Sequence, residues 1–595
     1  MYTVYIFQRF DQKICYIKEL NNSIQLDSDV NRSEGIFKLS TEELLELIHN
    51  ESLCEYTKFV DIIEKNKKAK AIQMNKPPQD YSVYVLCMHP SRTCNLACKY
   101  CFAKDGKEYL PMKGIDIETA KKAVDFLVDD YGRSGIKYQV DIAGSGEPLL
   151  KFDFIQELEK YCEYKSNETG KEIKIMFPTN ATLLTDEMID YFNHKYNILL
   201  GVSLDGNERQ SANRLTKNGE NAYQKIAKGA KTINRAFGIA VTITHINEDV
   251  DEVYDFLYHE FPNADSISMQ FVRNYELDSD ISFYQIDINN LVHHYEKLVE
   301  VLIEKVAQKD YEYVLKLLRG ADTFGKYIMR CFNRGSLRNQ RCGAGKGTFC
   351  VDDNGDIYSC SVANGDEHFK IGSLSTGIDS NKQEKFKKAN VNESDACRNC
   401  WAAYICGGEC LVKAYLTNQN MYEPNPKICE LKRNLIELAV YFVETCKHNY
   451  KEAYEYFRRF RVDATKNDTS LWVIHQYLKS REVKVSYQEL ADGAVRTQRG
   501  FAPNEFYAYV KQYDSNFQWR KLSSAKQYED VHYPAIAFAN KNKYFYQYAY
   551  ILGVKDGILQ VKDYRCDEVF PVPIDDFFEE VSDIIMDDFL EFGLN

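Results

Sequence analysis

The sequence predicts an α/β protein: a partial barrel of six strand–helix units, extended by a cysteine-rich segment and flanked by a small α+β domain at each end. Three observations carry this. Short apolar runs alternate with amphipathic helical patterns from Tyr81 to about residue 275, as in a parallel sheet covered by helices. Cysteines gather at fixed spacings in two places, at the head of that alternation and after it. A chain of 595 residues is too long for one hydrophobic core, so three or four domains are expected.

Composition narrows the class. Hydrophobic content of 44% and charged content of 27% are those of a soluble protein. A net charge of −13 argues against nucleic acid as a partner. Met1 opens no signal segment, and no run approaches the roughly 18 apolar residues of a membrane span. Eighteen cysteines without a secretion signal point to metal or redox chemistry in a reducing cytoplasm.

Taken in order, residues 1–75 form the first small domain. Thr3–Phe7 and Ile14–Ile17 read as strands, and Ser40 three residues before Glu43 is a helix-start signal. Lys67–Asp80, with Pro77 and Pro78, reads as a linker. The core spans residues 81–310. Its expected strands are Tyr81–Cys87, Tyr138–Ala143, Glu172–Phe177, Ile198–Leu204, Gly238–Thr244 and Ser266–Val272. Helical patterns include Ile117–Asp130, Phe154–Tyr164 and residues 285–308.

Sites on such a barrel lie at the carboxyl ends of the strands, and the motifs fall there. After the first strand come Cys94, Cys98 and Cys101. Three thiolates from one loop leave one iron of a [4Fe–4S] cluster open; a zinc knuckle is the alternative. After the second comes Gly144-Ser145-Gly146-Glu147-Pro148, after the third Thr179-Asn180-Ala181, and after the fourth Ser203-Leu204-Asp205-Gly206, with Arg214 beyond. Glycines in such turns let the backbone approach a ligand closely. Residues 311–447 hold Cys342, Cys360, Cys397, Cys400, Cys406, Cys410 and Cys429 at paired spacings. By spacing alone they are iron–sulfur ligands or two zinc sites. Asn354-Gly355-Asp356 reads as a hairpin turn that brings Cys342 and Cys360 close.

The stretch from Cys94 to Phe102 resembles the radical S-adenosylmethionine (SAM) superfamily. The resemblance implies that Cys94, Cys98 and Cys101 hold a cluster whose open iron chelates SAM. Ser145, Gly146, Glu147 and Pro148 resemble its G-G-E-P motif, which contacts the SAM amino group. Asn180 stands in its T-N-G motif, with Ala181 replacing glycine. Ser203 and Asp205 would lie near the ribose and carboxylate of SAM, and Arg214 would pair with that carboxylate. The later cysteines resemble a SPASM domain carrying two auxiliary [4Fe–4S] clusters, three clusters in all. Cys397, Cys400, Cys406 and Cys429 would hold one; Cys342, Cys360 and Cys410 would hold the other, nearer the active site. The fourth ligand of the nearer one stays open among Cys331, Cys350 and a substrate thiolate.

The wording around these cysteines looks like maturases of ribosomal peptides, especially the SCIFF type that forms thioether links (ranthipeptides, within the wider sactipeptide class). That implies a cysteine-rich precursor peptide as partner and an external electron donor such as flavodoxin or ferredoxin. A carbon–carbon or carbon–oxygen link, epimerisation, or sulfatase formylglycine formation is the alternative outcome. The first small domain resembles a precursor-recognition module that binds a leader peptide as an added strand. Residues 448–595 resemble papain-like peptidases that cut leaders after a double glycine, but Thr469 stands where their Cys would and Gln547 where their His would, leaving only Asp563. Such a domain cannot cleave by that route and would be kept for binding. No general base is assigned; His89 and His245 read as structural.

Overall fold

A four-stranded antiparallel sheet begins the chain in this computed structural model, which describes residues 2–26, 33–48, 84–101, 114–132, 137–143, 146–169, 171–195, 197–320, 323–332, 338–459, 469–485, 489–490, 501, 503–539, 548–562 and 569–587. Its strands are β1 (Tyr2–Arg9), β2 (Gln12–Ile17), β3 (Asn22–Leu26) and β4 (Gly35–Leu39), in the order β3-β2-β1-β4. One face packs Val4, Ile6 and Cys15 against Leu44, Leu47 and Ile48 of the Thr41–Ile48 helix. The other face sends Phe7, Ile14 and Tyr16 into the main core. The helix opens with the expected capping box: Ser40 N–H donates to Glu43 Oε2 at 2.7 Å, and Glu43 N–H to Ser40 Oγ at 3.1 Å. The expected linker lies outside the described residues.

Next come six parallel strands: β5 (Tyr84–Met88), β6 (Lys137–Asp141), β7 (Glu172–Thr179), β8 (Ile198–Ser203), β9 (Phe237–Ile243) and β10 (Ala264–Phe271). They lie side by side in sequence order, each overlapping a strand expected from the apolar runs. One face is apolar. Ile175, Phe177, Leu200, Val202, Ile239, Val241, Ile243, Ile267 and Met269 share a single core with the covering helices. The other face alternates out of burial and carries small or polar residues: Gln139, Asp141, Gly201, Ser203, Ala240, Thr242, Ser268 and Gln270. Parallel sheets are normally apolar on both faces, so this one faces a space meant for something other than helices.

The cysteine-rich region does not stand apart from this sheet. β11 (Thr348–Val351) lies parallel on the free edge of β5, and β12 (Asp356–Tyr358), β13 (Lys370–Ser373) and β14 (Gly377–Ile378) continue antiparallel, giving ten strands. The β11–β12 turn is the expected one: Gly355 sits at φ +80° and Asp352 Oδ1 accepts the N–H groups of Asn354 and Asp356. The Pro426–Asn449 helix then runs along the core, burying Leu431, Leu435, Leu438 and Phe442.

Beyond Phe457 the hydrophobic core is separate. Six antiparallel strands, β15 (Gln518–Lys521), β16 (Ala535–Phe538), β17 (Tyr548–Lys555), β18 (Ile558–Lys562), β19 (Val569–Pro573) and β20 (Ile584–Asp587), order as β15-β20-β16-β17-β18-β19. The Thr469–Ser480 helix packs Trp472, Ile474 and Tyr477 on one face with Ile536 and Tyr550. Thr469 opens that helix. Gly144, Ser145, Gln547 and Asp563 lie outside the described residues. No helix among the described residues is long and apolar enough to cross a membrane.

Candidate functional site

The carboxyl ends of β5–β10 share one edge of the parallel sheet, and the loops there build the site. The loop after β5 carries Cys94, Cys98 and Cys101, close enough that the charge of each bears on the others. Two neighbours hold this loop. The hairpin around Arg214 binds it by backbone: Ala97 N–H donates to Leu215 O at 2.7 Å and Lys99 N–H to Asn213 O at 2.9 Å. The turn after β6 binds its start, through Glu147 N–H on Thr93 O at 2.9 Å. Only glycine fits at 146. Its φ is +70°, and a Cβ there would lie 2.4 Å from Ser91 O.

Glu147 is buried and spends its carboxylate inside the protein. Oε1 accepts from Thr179 Oγ1 at 2.6 Å and Leu149 N–H at 3.1 Å; Oε2 accepts from Asn180 N–H at 2.9 Å. Burial pushes its pKa up against those bonds. Asn180 in turn reaches back to the cysteine loop, donating from Nδ2 to Asn95 Oδ1 at 2.8 Å and standing 3.9 Å from Cys94 Sγ. Ala181 holds φ +59°, a left-handed conformation that suits glycine. The structure thus ties Glu147 and Asn180 together as a brace for the cysteine loop, with Pro148 opening the short helical turn that follows.

Ser203 ends β8 on the open face, and Asp205 follows, 1% exposed. Its Oδ1 accepts from Arg214 Nη2 and from Thr242 N–H, both at 2.8 Å, and its Oδ2 accepts from Tyr100 OH. Arg214 is 5% exposed, lies over the Tyr100 ring, and its Nε has no hydrogen-bond partner. Burial lifts the Cys98 thiol to about 11, with the Arg214 cation pulling against it. Tyr100, Asn95 and Thr242 are functional neighbours that the motifs do not reveal: each acts through a contact made only in the fold.

One cavity of about 460 Å³ joins this loop to the later cysteines. Tyr100 and Cys101 form one wall and Cys342 and Cys410 another, with Arg273 and Tyr275 reaching in after β10. Cys360 stands within electrostatic reach of Cys342 and Cys410. Desolvation in this cavity lowers the amine of half-buried Lys413 to about 7. A second cavity, about 200 Å³, is lined by all four of Cys397, Cys400, Cys406 and Cys429. Burial raises the Cys406 thiol, but the Lys432 and Arg341 cations outweigh it and the net shift is downward. Lys432 lines both cavities. Cys397, Cys400, Cys406 and Cys429 thus line one cavity, while Cys342 and Cys410 line the other. Cys331 lies beside Tyr16, which also sits near Cys400. Cys350 is buried in β11, with Sγ 3.6 Å from His89 Nε2. Among the described residues, no group of three or more His, Cys, Asp or Glu converges tightly enough for a single metal ion.

The N-terminal sheet packs against the second cysteine cavity. Trp401, next to Cys400, stacks on Tyr5 at 4.2 Å and meets Tyr16 edge-on. Lys18 Nζ donates to Arg398 O at 2.8 Å. Arg9 binds Glu437, Asn434 and Glu296, and Ser23 Oγ donates to Glu444 at 2.7 Å.

Residues 88–257 match the model of the radical SAM superfamily, so the chain carries a radical SAM domain. An uncharacterised protein of Methanocaldococcus jannaschii is 32% identical over 165 residues, 27% of this chain and 54% of that one; the chain thus spans about half the length of this relative. A cysteine-type anaerobic sulfatase-maturating enzyme of Clostridium novyi is 22% identical over 336 residues, 55% of this chain and 88% of that one. A mycofactocin maturase of Mycolicibacterium smegmatis is 24% identical over 346 residues, 57% and 80% respectively. The solved structure of anSMEcpe with bound AdoMet superposes with a TM-score of 0.51 at 18% identity, covering 63% of this chain and 97% of that one; the likeness is one of fold. A radical SAM domain implies a [4Fe–4S] cluster and SAM, and the residues fit both. Three thiols share one braced loop, and beside them the buried guanidinium of Arg214 leaves Nε unspent, as a carboxylate ligand would need.

Proposed function

We propose that this chain, which carries a radical SAM domain at residues 88–257, modifies a ribosomally made precursor peptide by closing a cysteine sulfur onto an unactivated carbon. The supporting observation is the cavity that joins Cys101 to Cys342 and Cys410. A peptide entering it meets the SAM-binding loop on one side and a second set of thiols on the other. A reduced cluster and SAM supply the carbon-centred radical that removes the hydrogen. Cys94, Cys98 and Cys101 would hold that cluster, on a loop braced by Glu147, Asn180 and the Arg214 hairpin. Arg214 would receive the SAM carboxylate while Asp205 fixes the guanidinium, and Ser203 at the end of β8 would take the ribose.

Cys397, Cys400, Cys406 and Cys429 would hold one auxiliary [4Fe–4S] cluster; Cys342, Cys360 and Cys410 would hold the nearer one, with its fourth position left to a substrate thiolate, since Cys331 lies by Tyr16 on the side of Cys400. Such a cluster would supply a sink for the surplus electron of the new bond and Lewis acidity toward an incoming thiol, and an external carrier such as flavodoxin or ferredoxin would provide the reducing electron. In this reading residues 1–75 and 448–595 are peptide-holding modules, the second a peptidase relic whose helix starts at Thr469 instead of a cysteine. Unchanged leader affinity after deletion of residues 450–595 would sink that last assignment.

A second reading has its own support: two of the relatives are named sulfatase-maturating enzymes, which favours oxidation of a protein side chain without a crosslink. Anaerobic incubation with a small cysteine-rich peptide encoded beside the gene, followed by tandem mass spectrometry, separates the two. A thioether removes a hydrogen pair per link and protects the linked cysteines from alkylation. A fully alkylatable product favours the second reading.

A further inference from the structure

The cysteine loop has two faces, and only one of them belongs to the large cavity. Lys99, Tyr100 and Cys101 line that cavity. Asn95 and Leu96 point the other way, into a separate pocket of about 250 Å³ that they share with Thr182, Thr216, Lys217 and Lys225. This pocket is polar and wide open, and its floor is one residue from Cys94.

The floor is wired to the sulfur. Leu96 N–H donates to Cys94 Sγ at 3.4 Å. Asn95 Nδ2 donates to Thr182 Oγ1 at 2.7 Å, and Asn95 Oδ1 accepts from Asn180 Nδ2, which also stands 3.9 Å from Cys94 Sγ. A backbone bridge between Leu96 and Thr216 fixes the loop to the rim that carries Lys217. The pocket and the loop are thus one rigid unit.

The rim is basic. Lys217 and Lys225 are exposed, and neither has a carboxylate partner among the described residues. Lys228 is exposed one turn after Lys225 on the Tyr223–Lys231 helix. Of the acids nearby, Glu208 accepts from Gln224, and Glu220 is the exposed one on the hairpin. Unpaired lysines beside the most reactive loop stand out in a chain of net charge −13, and such a patch steers an acidic partner.

We infer that this pocket is the docking surface for an acidic one-electron carrier protein. The inference rests on the radical SAM reading. That chemistry needs an electron from outside, and the carrier cannot enter through the large cavity, where water and a second protein would quench the radical. The opposite face of the loop is the remaining approach, and it carries the complementary charge. One electron leaves the carrier and enters the cluster held by Cys94, Cys98 and Cys101; no bond or proton is exchanged. Lys217 and Lys225 position the carrier and take no part in the chemistry.

The test compares two reductants on the reconstituted protein: photoreduced flavodoxin, and dithionite, which needs no docking. Cluster reduction is followed by its visible bleaching and low-temperature EPR, and flavodoxin binding by thermophoresis, which does not depend on turnover. K217E/K225E should slow flavodoxin-driven reduction by about tenfold or more at low ionic strength. It should weaken binding in parallel and flatten the salt dependence, while dithionite-driven 5′-deoxyadenosine formation stays at the native level. K217Q/K225Q should fall between. If the charge reversal also lost the dithionite-driven product, the Gln pair would decide by the same comparison. Flavodoxin rates and affinity within twofold of native for the Gln pair and the charge reversal would overturn the docking surface. Native protein that makes no 5′-deoxyadenosine with dithionite would instead overturn the radical SAM reading beneath it.

Discussion

Arg214 and Asp205 form a buried ion pair on which the proposed SAM pocket depends, and their geometry yields direct expectations. Arg214→Lys keeps the charge but loses the fork that serves Asp205 with one arm and leaves Nε for a ligand. SAM affinity, measured by equilibrium dialysis on reconstituted protein, should fall at least about tenfold, roughly the 1.4 kcal/mol of one lost charged bond. Arg214→Met strands a buried carboxylate and should cost about 3–5 kcal/mol of stability. Ala181 offers the opposite sign. It holds φ +59° where glycine is at ease, so Ala181→Gly should raise stability by up to about 1 kcal/mol in chemical denaturation. His475 gives a pH dependence. Burial, helped by Lys479, lowers its pKa from 6.5 to about 4. The unfolded chain then binds the extra proton between those values, so stability is kept above pH 6.5 and lost as pH falls toward 4. The full loss is about 3 kcal/mol, and His475→Gln should flatten it. At this scale the local spacing of Cys94, Cys98 and Cys101 made them legible as candidates, while Asp205 and Arg214 came from resemblance to known motifs. The sequence hid Tyr100 on Asp205 and Asn95 on Asn180, because those bonds join loops far apart in the chain.

Pattern exposed whole elements for a simple reason: β5–β10 are short apolar runs, and their helices repeat apolar residues every third or fourth place. All six core strands were legible that way. The pairing of β11 with β5 was not, since a four-residue strand says nothing about its neighbour. Nor was the seat of the N-terminal sheet on the Pro426–Asn449 helix and the Cys397–Cys406 loop legible, because it is built from single contacts such as Arg9 with Glu437 and Tyr5 with Trp401. That seat makes a prediction of its own. Trp401 is 2% exposed between Tyr5 and Tyr16, so Trp401→Ala should cost about 3–5 kcal/mol. Its effect should fall first on the adjoining cysteine cavity: iron content should drop there while dithionite-driven SAM cleavage at Cys94–Cys101 survives. Equal loss of both would mean that the N-terminal sheet supports the whole fold and not that cavity in particular.

The whole molecule brings three sets of cysteines, separated by up to hundreds of residues, to two cavities that share Lys432. Lys432 lies between the auxiliary sets and lines both spaces. One cavity opens beside the braced loop after β5 and is the proposed space for a peptide; the other lies by the loop on which the N-terminal sheet packs. Everything proposed there depends on the chemistry of the braced loop. The most direct measurement is therefore anaerobic: reconstituted protein, dithionite and SAM, with the nucleoside product resolved by chromatography and mass spectrometry. Native protein should release 5′-deoxyadenosine and methionine, and replacement of Cys94, Cys98 and Cys101 by alanine should abolish both while leaving the iron bound at the other cysteines. No 5′-deoxyadenosine from iron-replete native protein, or an undiminished yield from the triple variant, would contradict the assignment of this loop as the SAM-cleaving site.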